Sequence, residues 1–323
     1  MEAPLAIGID FGTSNSAVAV LEGNGGTRLL ELDPSASPGE LLRTLLYFPS
    51  RREEFFGDQA IREYFDRDRE GRFFQSIKKL LPSTEFKGTV IHNHFVSLED
   101  LIARFLGEVR RRIEKDLGPI SPDTPLIMGR PARYSLDAEK EKNAVARYLK
   151  ACTLAGFPKV ILVEEPKAAA LTYQPRTEQP EVVLVADLGG GTSDFTLMRV
   201  SRKQPTEVLS SYGVPLAGDT LDSCFVAEKL SKFFGSEIRY KRPFSENELT
   251  MPTSFIRLLP KWHQHAFLRE KETWNFILNL RKELVDSKDK IYLENLITLV
   301  EDNLGYALHQ QVECLKIELS EKK

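Results

Sequence analysis

The sequence predicts an α/β protein of two similar lobes that face a shared cleft. Two strand–turn–strand units with the same polar pattern, one in each half, indicate that the lobes are related. The length of 323 residues suits about two domains of ordinary size. Apolar residues at helical spacing lie between and after these units, and they predict helices that flank the sheets.

The first unit has an apolar strand at residues 5–9 and a partner strand at residues 16–22. A turn that contains glycine and hydroxyl residues joins them. Glycine lets the backbone approach a ligand closely, and successive amides in such a turn form a concave anion site. The candidate phosphate-binding residues of this turn are Gly12, Thr13, Ser14 and Asn15.

The second unit repeats the pattern 177 residues later, counted from Asp10 to Asp187 (187 − 10). Its strands are predicted at residues 182–186 and 194–200. Two opposed turns of this kind can hold a polyphosphate from both sides. The pattern is neither a Walker loop nor a dinucleotide-binding fingerprint, because no Gly-Lys-Ser/Thr follows the glycines and a strand follows the turn. The candidate phosphate-binding residues here are Gly189, Gly190, Gly191 and Thr192.

Three aspartates, Asp10, Asp187 and Asp194, stand at strand ends beside the two turns. Carboxylates are ligands that Mg²⁺ uses, and the ion often retains several waters. We therefore predict a magnesium site held by these residues, largely through water. The alternative is that Asp10 only caps its turn by a local hydrogen bond. The matching pattern in both turns favours the metal site.

Composition limits the classes of partner. The net charge of −3 gives no basic field for nucleic acid or an anionic membrane, and no apolar run reaches the roughly 18 residues of a membrane span. The three cysteines have no close spacing, which favours a reducing compartment. We expect a cytoplasmic protein that binds neither nucleic acid nor a membrane.

The chain divides by pattern at a polar segment that contains two prolines. We predict a first lobe over residues 1–180, with a subdomain inserted at about 36–118 whose segment 48–117 is mostly helical in period. The second lobe covers residues 181–323, and its part from about 221 to 323 is helical. Another helix is expected at 136–156, with Ser135 as its N-cap.

Five segments, taken in chain order, resemble the DnaK-type heat-shock chaperones. The first and fourth look like the family's two phosphate motifs, the second like the segment of its catalytic lysine, the third like its connecting motif, and the fifth like a family turn. They are residues 7–16 (IGIDFGTSNS), 77–81 (IKKLL), 164–173 (EEPKAAALTY), 187–194 (DLGGGTSD) and 213–222 (GVPLAGDTLD).

This resemblance implies the two-lobed actin-like ATPase fold, in which two ribonuclease-H-like lobes carry mixed sheets flanked by helices. The family's second adenosine motif, of the Gly-Gly-x-Thr-Arg-x-Pro type, does not occur in the sequence. The resemblance therefore implies a divergent, bacterial-type member that is truncated at its C-terminus and has an incomplete second lobe.

The resemblance also implies ATP or ADP with Mg²⁺ as ligands and slow hydrolysis of ATP as the reaction. Lys78 matches the family's catalytic lysine and Glu165 its functional glutamate, and Asp194 and Thr192 complete the catalytic set. Whether Glu165 or Asp194 acts as the general base stays open. For Lys78 the alternative is an ordinary solvated lysine of a helical segment.

The adenosine end of the site is implied by two further matches. Gly218 lies in the turn of residues 213–222, and Glu313, Lys316 and Ser320 resemble the helix that grips adenine and ribose. Their spacing puts the last three on one helical face, which is also a common surface pattern. Client polypeptides and co-chaperones, as implied partners, would bind through regions outside this chain.

Two other functions remain compatible with the motifs. One is an ATP-dependent interaction module that does not hydrolyse its nucleotide. The other is a small-molecule kinase on the same fold, although the sequence offers no clear acceptor site or catalytic aspartate for it in the first lobe. An actin-like filament protein is a weaker third alternative.

Overall fold

The computed structural model describes residues 4–68, 70–214, 216–243, 245–302 and 304–321. The chain forms two compact units, Met1–Ala217 and Gly218–Lys323, which are described one after the other. The lobe boundary predicted after residue 180 falls at a different point, inside the first unit. The division of the chain into two lobes at residue 180 stays a prediction.

The first unit begins and ends with runs of strands, and helices are interspersed with strands between those runs. Its elements, in chain order, are β1 (Ala6–Phe11), β2 (Asn15–Leu21), β3 (Thr27–Leu29), β4 (Leu42–Arg43), β5 (Leu45–Ser50), β6 (Glu53–Phe56), α1 (Gly57–Asp66), β7 (Arg72–Gln75), β8 (Gly88–Ile91), β9 (His94–Ser97), α2 (Leu98–Leu117), β10 (Leu126–Arg130), α3 (Ala138–Leu154), β11 (Ile161–Glu164), α4 (Glu165–Tyr173), β12 (Glu181–Leu188), β13 (Ser193–Ser201) and β14 (Gln204–Val214).

The largest sheet of this unit has the strand order β11-β10-β1-β2-β3, with β4 paired to the start of β2. β1 is parallel to β10 and antiparallel to β2. Its apolar side chains alternate with less buried ones, so one face lies in the core. At the end of β1, the ring of Phe11 packs 5.8 Å from the rings of both Phe105 in α2 and Tyr148 in α3. The two helices therefore cover the sheet where its first turn begins.

The second sheet has the order β12-β13-β14, with antiparallel neighbours throughout. Helix α4 packs on one face, where Ala170, Met198 and Val200 are buried. The opposite side chains of the alternation, including Leu184 and Leu197, are exposed. The strands predicted at 182–186 and 194–200 are thus present and extend beyond the predicted bounds.

The prediction that residues 48–117 are mostly helical is wrong for the first part of that segment. β5, β6 and β7 form a three-stranded sheet, and β8 and β9 form a hairpin. Aromatic side chains explain the sheet, because Tyr47, Tyr64 and Phe73 pack together with ring centroids 4.8–6.3 Å apart. Only α1 and α2 follow the helical period, and α2 begins with a capping box between Ser97 and Asp100.

The helix predicted at 136–156 is α3, but its N-cap is Asp137 instead of Ser135. The Asp137 carboxylate accepts hydrogen bonds from the amides of Glu139 and Lys140. Ser135 instead donates its own amide to Glu141. Asp137 is favoured because its carboxylate is charged and lies at the positive end of the helix dipole.

The second unit is mainly helical, with one short hairpin. Its hydrophobic core includes Leu293, Leu296 and Val300, which lie in the helix Lys290–Glu301. The elements are α5 (Gly218–Phe225), β15 (Arg239–Lys241), β16 (Glu248–Thr250), α6 (Thr253–Ile256), α7 (Lys271–Asn279), α8 (Lys290–Glu301) and α9 (Gly305–Glu321). Among the described residues, none of the helices combines the length and the apolar character needed to cross a bilayer.

Candidate functional site

The turn between β1 and β2 carries the first set of predicted phosphate-binding residues. β1 and β2 pair up to Phe11 and Ser16, so the turn is tight. A Cβ atom on Gly12 would lie 2.0 Å from the Asn15 carbonyl oxygen. Only glycine fits there, because a backbone oxygen cannot move away as a flexible side chain can.

The turn between β12 and β13 carries the second set. Asp187 of β12 lies directly opposite Asp194 of β13 in the antiparallel register. The Gly189 amide donates to the Thr192 carbonyl at 3.0 Å, which closes the turn. The Thr192 hydroxyl donates to the Asp194 carboxylate at 2.9 Å. The predicted catalytic pair Thr192 and Asp194 is therefore joined directly.

The two turns approach each other closely within the first unit. A Cβ atom on Gly191 would lie 2.9 Å from the Thr13 side chain and 2.4 Å from Cε of Lys79. Beside this contact lies a cavity of about 920 Å³. That volume falls within the usual range of about 300–1,000 Å³ for small-molecule sites. Its lining includes the predicted residues Asp10, Gly12, Thr13, Ser14, Asn15, Lys78, Glu165, Asp187, Gly189, Gly190, Gly191 and Thr192.

Lys78 and Glu165 form an ion pair at this cavity. Lys78 lies in a single 3₁₀ turn, Ile77–Leu80, and its Nζ donates to Oε1 of Glu165 at 2.8 Å. The Lys78 side chain is only 8 % exposed. Lys78 is therefore a buried, paired ammonium and not the solvated lysine of the alternative interpretation.

Negative charge accumulates around that ammonium. The pKa of Asp10 is raised to about 6, mainly by burial and next by the nearby Glu165 carboxylate, while Lys78 opposes both effects. Asp10 faces the open cavity, but the surrounding protein still removes much of its hydration. Burial likewise raises the pKa values of Asp187 and Asp194 above their ordinary range, and Glu165 adds to both shifts. A bound cation would stabilise the ionised form of these three carboxyl groups.

The arrangement fits a hydrated cation better than one bound directly. Within the described ranges, no three His, Cys, Asp or Glu side chains converge closely enough to bind a metal ion. Mg²⁺ usually keeps several waters and takes one or two carboxylates. The oxygen-only donor set and the raised pKa values suit such an ion, so the water-mediated site stays a prediction with chemical support.

Comparison with known proteins supplies a family. The family model described as Hsp70 protein matches residues 55–246, which is more than half of the chain. The chain belongs to the Hsp70 family. Its mixed sheets and flanking helices are accordingly those of the actin-like ATPase fold.

Curated relatives of this Hsp70 chain carry the name Chaperone protein DnaK. The protein of Thermoplasma volcanium is 30% identical over 241 residues, which cover 73% of this chain and 37% of the relative. That of Endomicrobium trichonymphae is 31% identical over 241 residues, 72% of this chain and 36% of the relative. That of Elusimicrobium minutum is 29% identical over 229 residues, which cover 70% of this chain and 35% of the relative. The chain thus spans just over a third of the length of these relatives.

Four predicted nucleotide-binding residues of this Hsp70 chain, Gly218, Glu313, Lys316 and Ser320, lie in the second unit. Gly218 begins α5, and the other three lie on α9. Lys316 is already engaged, because its Nζ lies 2.7 and 2.9 Å from the two carboxylate oxygens of Asp222. The Ser320 hydroxyl donates to the Lys316 carbonyl. These contacts do not test adenosine binding, so that role stays a prediction for all four residues.

Sequence reasoning missed several residues that shape the site. Gly213 of β14 pairs with Asp194, and a Cβ there would lie 2.4 Å from Oδ1 of Asp194. Tyr134 lines the cavity, and its buried hydroxyl has no hydrogen-bond partner among the described residues. Only Gly213 gave a signal, since it begins the fifth resembling segment. The tyrosine is distant in sequence from the motifs, and no local pattern marks it.

A buried arginine holds the loop that follows Lys78. Arg147 of α3 donates to the carbonyl oxygens of Ser83 at 2.8 Å and Phe86 at 2.9 Å. It also pairs with Glu99 at 2.9 Å. The two hydrogen bonds satisfy backbone carbonyls of the loop that follows the 3₁₀ turn. Arg147 therefore anchors the segment that carries the buried lysine, and its position in α3 gave no hint of this.

Proposed function

We propose that this chain is the ATP-binding and slowly ATP-hydrolysing domain of a chaperone-like nucleotide switch. The observation that carries the proposal is the approach of Gly191 to Thr13, which brings two glycine turns to one cavity beside Lys78. A cavity of about 920 Å³ is large enough for a nucleotide. Membership of the Hsp70 family supports the same activity.

In this proposal the backbone amides of the two turns bind the phosphates. Peptide N–H groups in tight turns are donors that need no reorganisation when an anion arrives. Thr13 adds a hydroxyl group where the turns meet, and Thr192 contributes its backbone amide, because its hydroxyl proton is donated to Asp194. The β- and γ-phosphates would therefore lie between Gly12 and Gly190, and the cost of holding their charge would be low.

A magnesium ion, when bound, would neutralise phosphate charge and hold the terminal phosphate in place. The residues proposed to hold it, through water, are Asp10, Asp187 and Asp194. Their raised pKa values support this role, because ionisation of each carboxyl group becomes easier beside a cation.

Hydrolysis is proposed to proceed by in-line attack of a water molecule on the γ-phosphate, while the bond from the γ-phosphorus to the bridging oxygen breaks and ADP leaves. Enzymes of this kind accelerate the reaction mainly by positioning and charge stabilisation. The Lys78 ammonium, held by Glu165, would neutralise charge on the γ-phosphate and orient the water. Glu165 or Asp194 would accept the water proton, and Thr192 would fix the orientation of Asp194 through their 2.9 Å hydrogen bond.

The test is calorimetric titration of the 323-residue chain with ADP and ATP in Mg²⁺, beside single-turnover phosphate release. Removal of one charge-stabilising group commonly costs about 10²–10³-fold in rate, so we expect a loss of that order in Lys78→Ala with nucleotide affinity changed much less. Lys150→Ala, an exposed lysine of α3, is the control and should match the wild type. A wild-type rate in Lys78→Ala would reject the catalytic role.

The same measurements separate this proposal from its main alternative. Tight nucleotide binding without phosphate release would identify a non-hydrolysing ATP-dependent interaction module. Absence of both would reject nucleotide binding altogether. Client polypeptides and co-chaperones, proposed from the family, would bind elsewhere in a longer protein. A reducing, cytoplasmic setting is compatible with Cys152, Cys224 and Cys314, which are all free thiols.

A further inference from the structure

Thr44 is a buried polar residue next to the first phosphate turn that no motif includes. It follows β4, which pairs with the start of β2 through Asn15 and Arg43. Its side chain is fully buried, at 0% exposure, and the Ser16 side chain beside it is buried as well. A buried hydroxyl group has to be paired, so its partners show what it stabilises.

Three hydrogen bonds join Thr44 to the turn. Its amide donates to the Ser14 carbonyl at 2.8 Å. Its hydroxyl donates to the Gly12 carbonyl at 2.9 Å. The Ser16 hydroxyl lies 2.9 Å from the Thr44 hydroxyl, and it must donate there because the single Thr44 proton is already used. The result is a chain of donors from Ser16 through Thr44 to Gly12.

These bonds fix the direction of the amides that follow. A trans peptide is planar, and its C=O and N–H groups point in opposite directions. With the Gly12 carbonyl held toward Thr44, the Thr13 N–H points away from Thr44. The Thr44 amide holds the Ser14 carbonyl in the same way, so the Asn15 N–H also points away from Thr44. Thr13 and Asn15 both line the cavity.

We propose that Thr44 is a positioning residue, which holds the first turn in the conformation that binds phosphate before the nucleotide arrives. This inference rests on the proposed function, because it assigns phosphate binding to that turn. The physical gain is preorganisation: a turn already fixed in its bound conformation loses less conformational entropy on binding. Thr44 itself touches no ligand in this scheme.

The first experiment measures the affinity of the whole chain for MgADP by calorimetry. Thr44→Val keeps the volume of the side chain but removes the hydroxyl group, and we expect about tenfold weaker binding, a loss of about 1.4 kcal/mol. Thr44→Ser restores the hydroxyl and should bind within about twofold of the wild type. Thr177→Val is the matched control, because Thr177 is also buried and donates to a backbone carbonyl, that of Gln174.

The second experiment needs no nucleotide. Amide hydrogen exchange of the free chain should be about tenfold faster in Thr44→Val over residues 12–16, and unchanged in β10 and in Thr177→Val. If Thr44→Val does not fold, Ser16→Ala removes only the first donor of the chain. About threefold weaker MgADP binding is then expected, together with faster exchange at the turn.

The outcomes distinguish this inference from the proposed function. Wild-type affinity in Thr44→Val, or equal losses in Thr44→Ser and Thr44→Val, would overturn the role of the hydroxyl and leave nucleotide binding intact. If the wild-type chain binds no nucleotide, the proposed function fails, and hydrogen exchange alone decides whether Thr44 fixes the turn. Unchanged exchange in Thr44→Val, or in Ser16→Ala where it serves as the substitute, would overturn that as well.

Discussion

The ionisation of Asp10 should control metal–nucleotide binding near pH 6. Burial raises the pKa of this carboxyl group to about 6, and the charge of Glu165 contributes to the shift. A hydrated cation favours the ionised carboxylate, so its binding opposes protonation of Asp10. The informative perturbation is therefore a change of pH from 8 to 5, compared between the wild type and Asp10→Asn.

The magnitude follows from that pKa of about 6. The carboxyl group would be roughly half protonated at pH 6 and about 90% protonated at pH 5. If the ion requires the carboxylate, the apparent Kd for MgADP rises about twofold at pH 6 and about tenfold at pH 5, relative to pH 8. Binding at pH 6 should also release about half a proton from Asp10.

The assay is calorimetric titration with MgADP at several pH values in two buffers of different ionisation enthalpy. The terminal phosphate of the nucleotide also titrates near pH 6, so only the difference between the two proteins reports on Asp10. Asp123→Asn, which changes an exposed aspartate of a loop, should retain the wild-type profile. Identical pH profiles for the wild type and Asp10→Asn would refute the assignment of Asp10 to the metal site.

The same pKa has an opposite consequence for the free chain. The folded state holds the Asp10 proton more tightly than the unfolded state does, so its contribution to stability is complete below about pH 4. It is lost as the pH rises through about 6. Because Asp10 faces solvent in the cavity, we expect this loss to be only about 1 kcal/mol. Chemical denaturation of the wild type and Asp10→Asn at pH 4 and 7 measures it.

Two further substitutions test the packing of the site. Gly191→Ala places a methyl group between Thr13 and Lys79, so the affinity for MgADP should fall about tenfold while the unfolding midpoint changes little. The control is Gly107→Ala, because a Cβ atom at Gly107 would meet no atom within 4 Å. Equal MgADP affinities of the two variants would contradict the close approach of the turns. Arg147→Met leaves Glu99 unpaired and should lower the free energy of unfolding by about 3 kcal/mol in urea denaturation. Arg199→Met, at an exposed ion pair with Glu207, should cost less than about 1 kcal/mol, and a similar loss in both would argue against the loop anchor.

The predictions that succeeded depended on local sequence. Strand, glycine turn and strand follow one another within a few residues in both units, so residue type alone limits the conformation. The helical period of α2 and α8 is equally local. The prediction of a mostly helical segment at residues 48–117 was wrong for the strands β5 to β9, where charged residues on exposed positions concealed an aromatic core. The N-cap prediction for α3 was also wrong, because Asp137 and Ser135 are both acceptable N-caps.

The amino-acid sequence by itself determined the two glycine turns, the acidic residues beside them and the family to which the chain belongs, because these features are set by residues adjacent along the chain. Tertiary structure alone decided that Gly191 meets Thr13, that Lys78 is buried against Glu165, and that Thr44 and Arg147 hold the surrounding backbone. Such contacts join residues from 32 to 178 positions apart, counted from Gly12 to Thr44 and from Thr13 to Gly191. They depend on how the strands pair and pack, and no local pattern of residues encodes them.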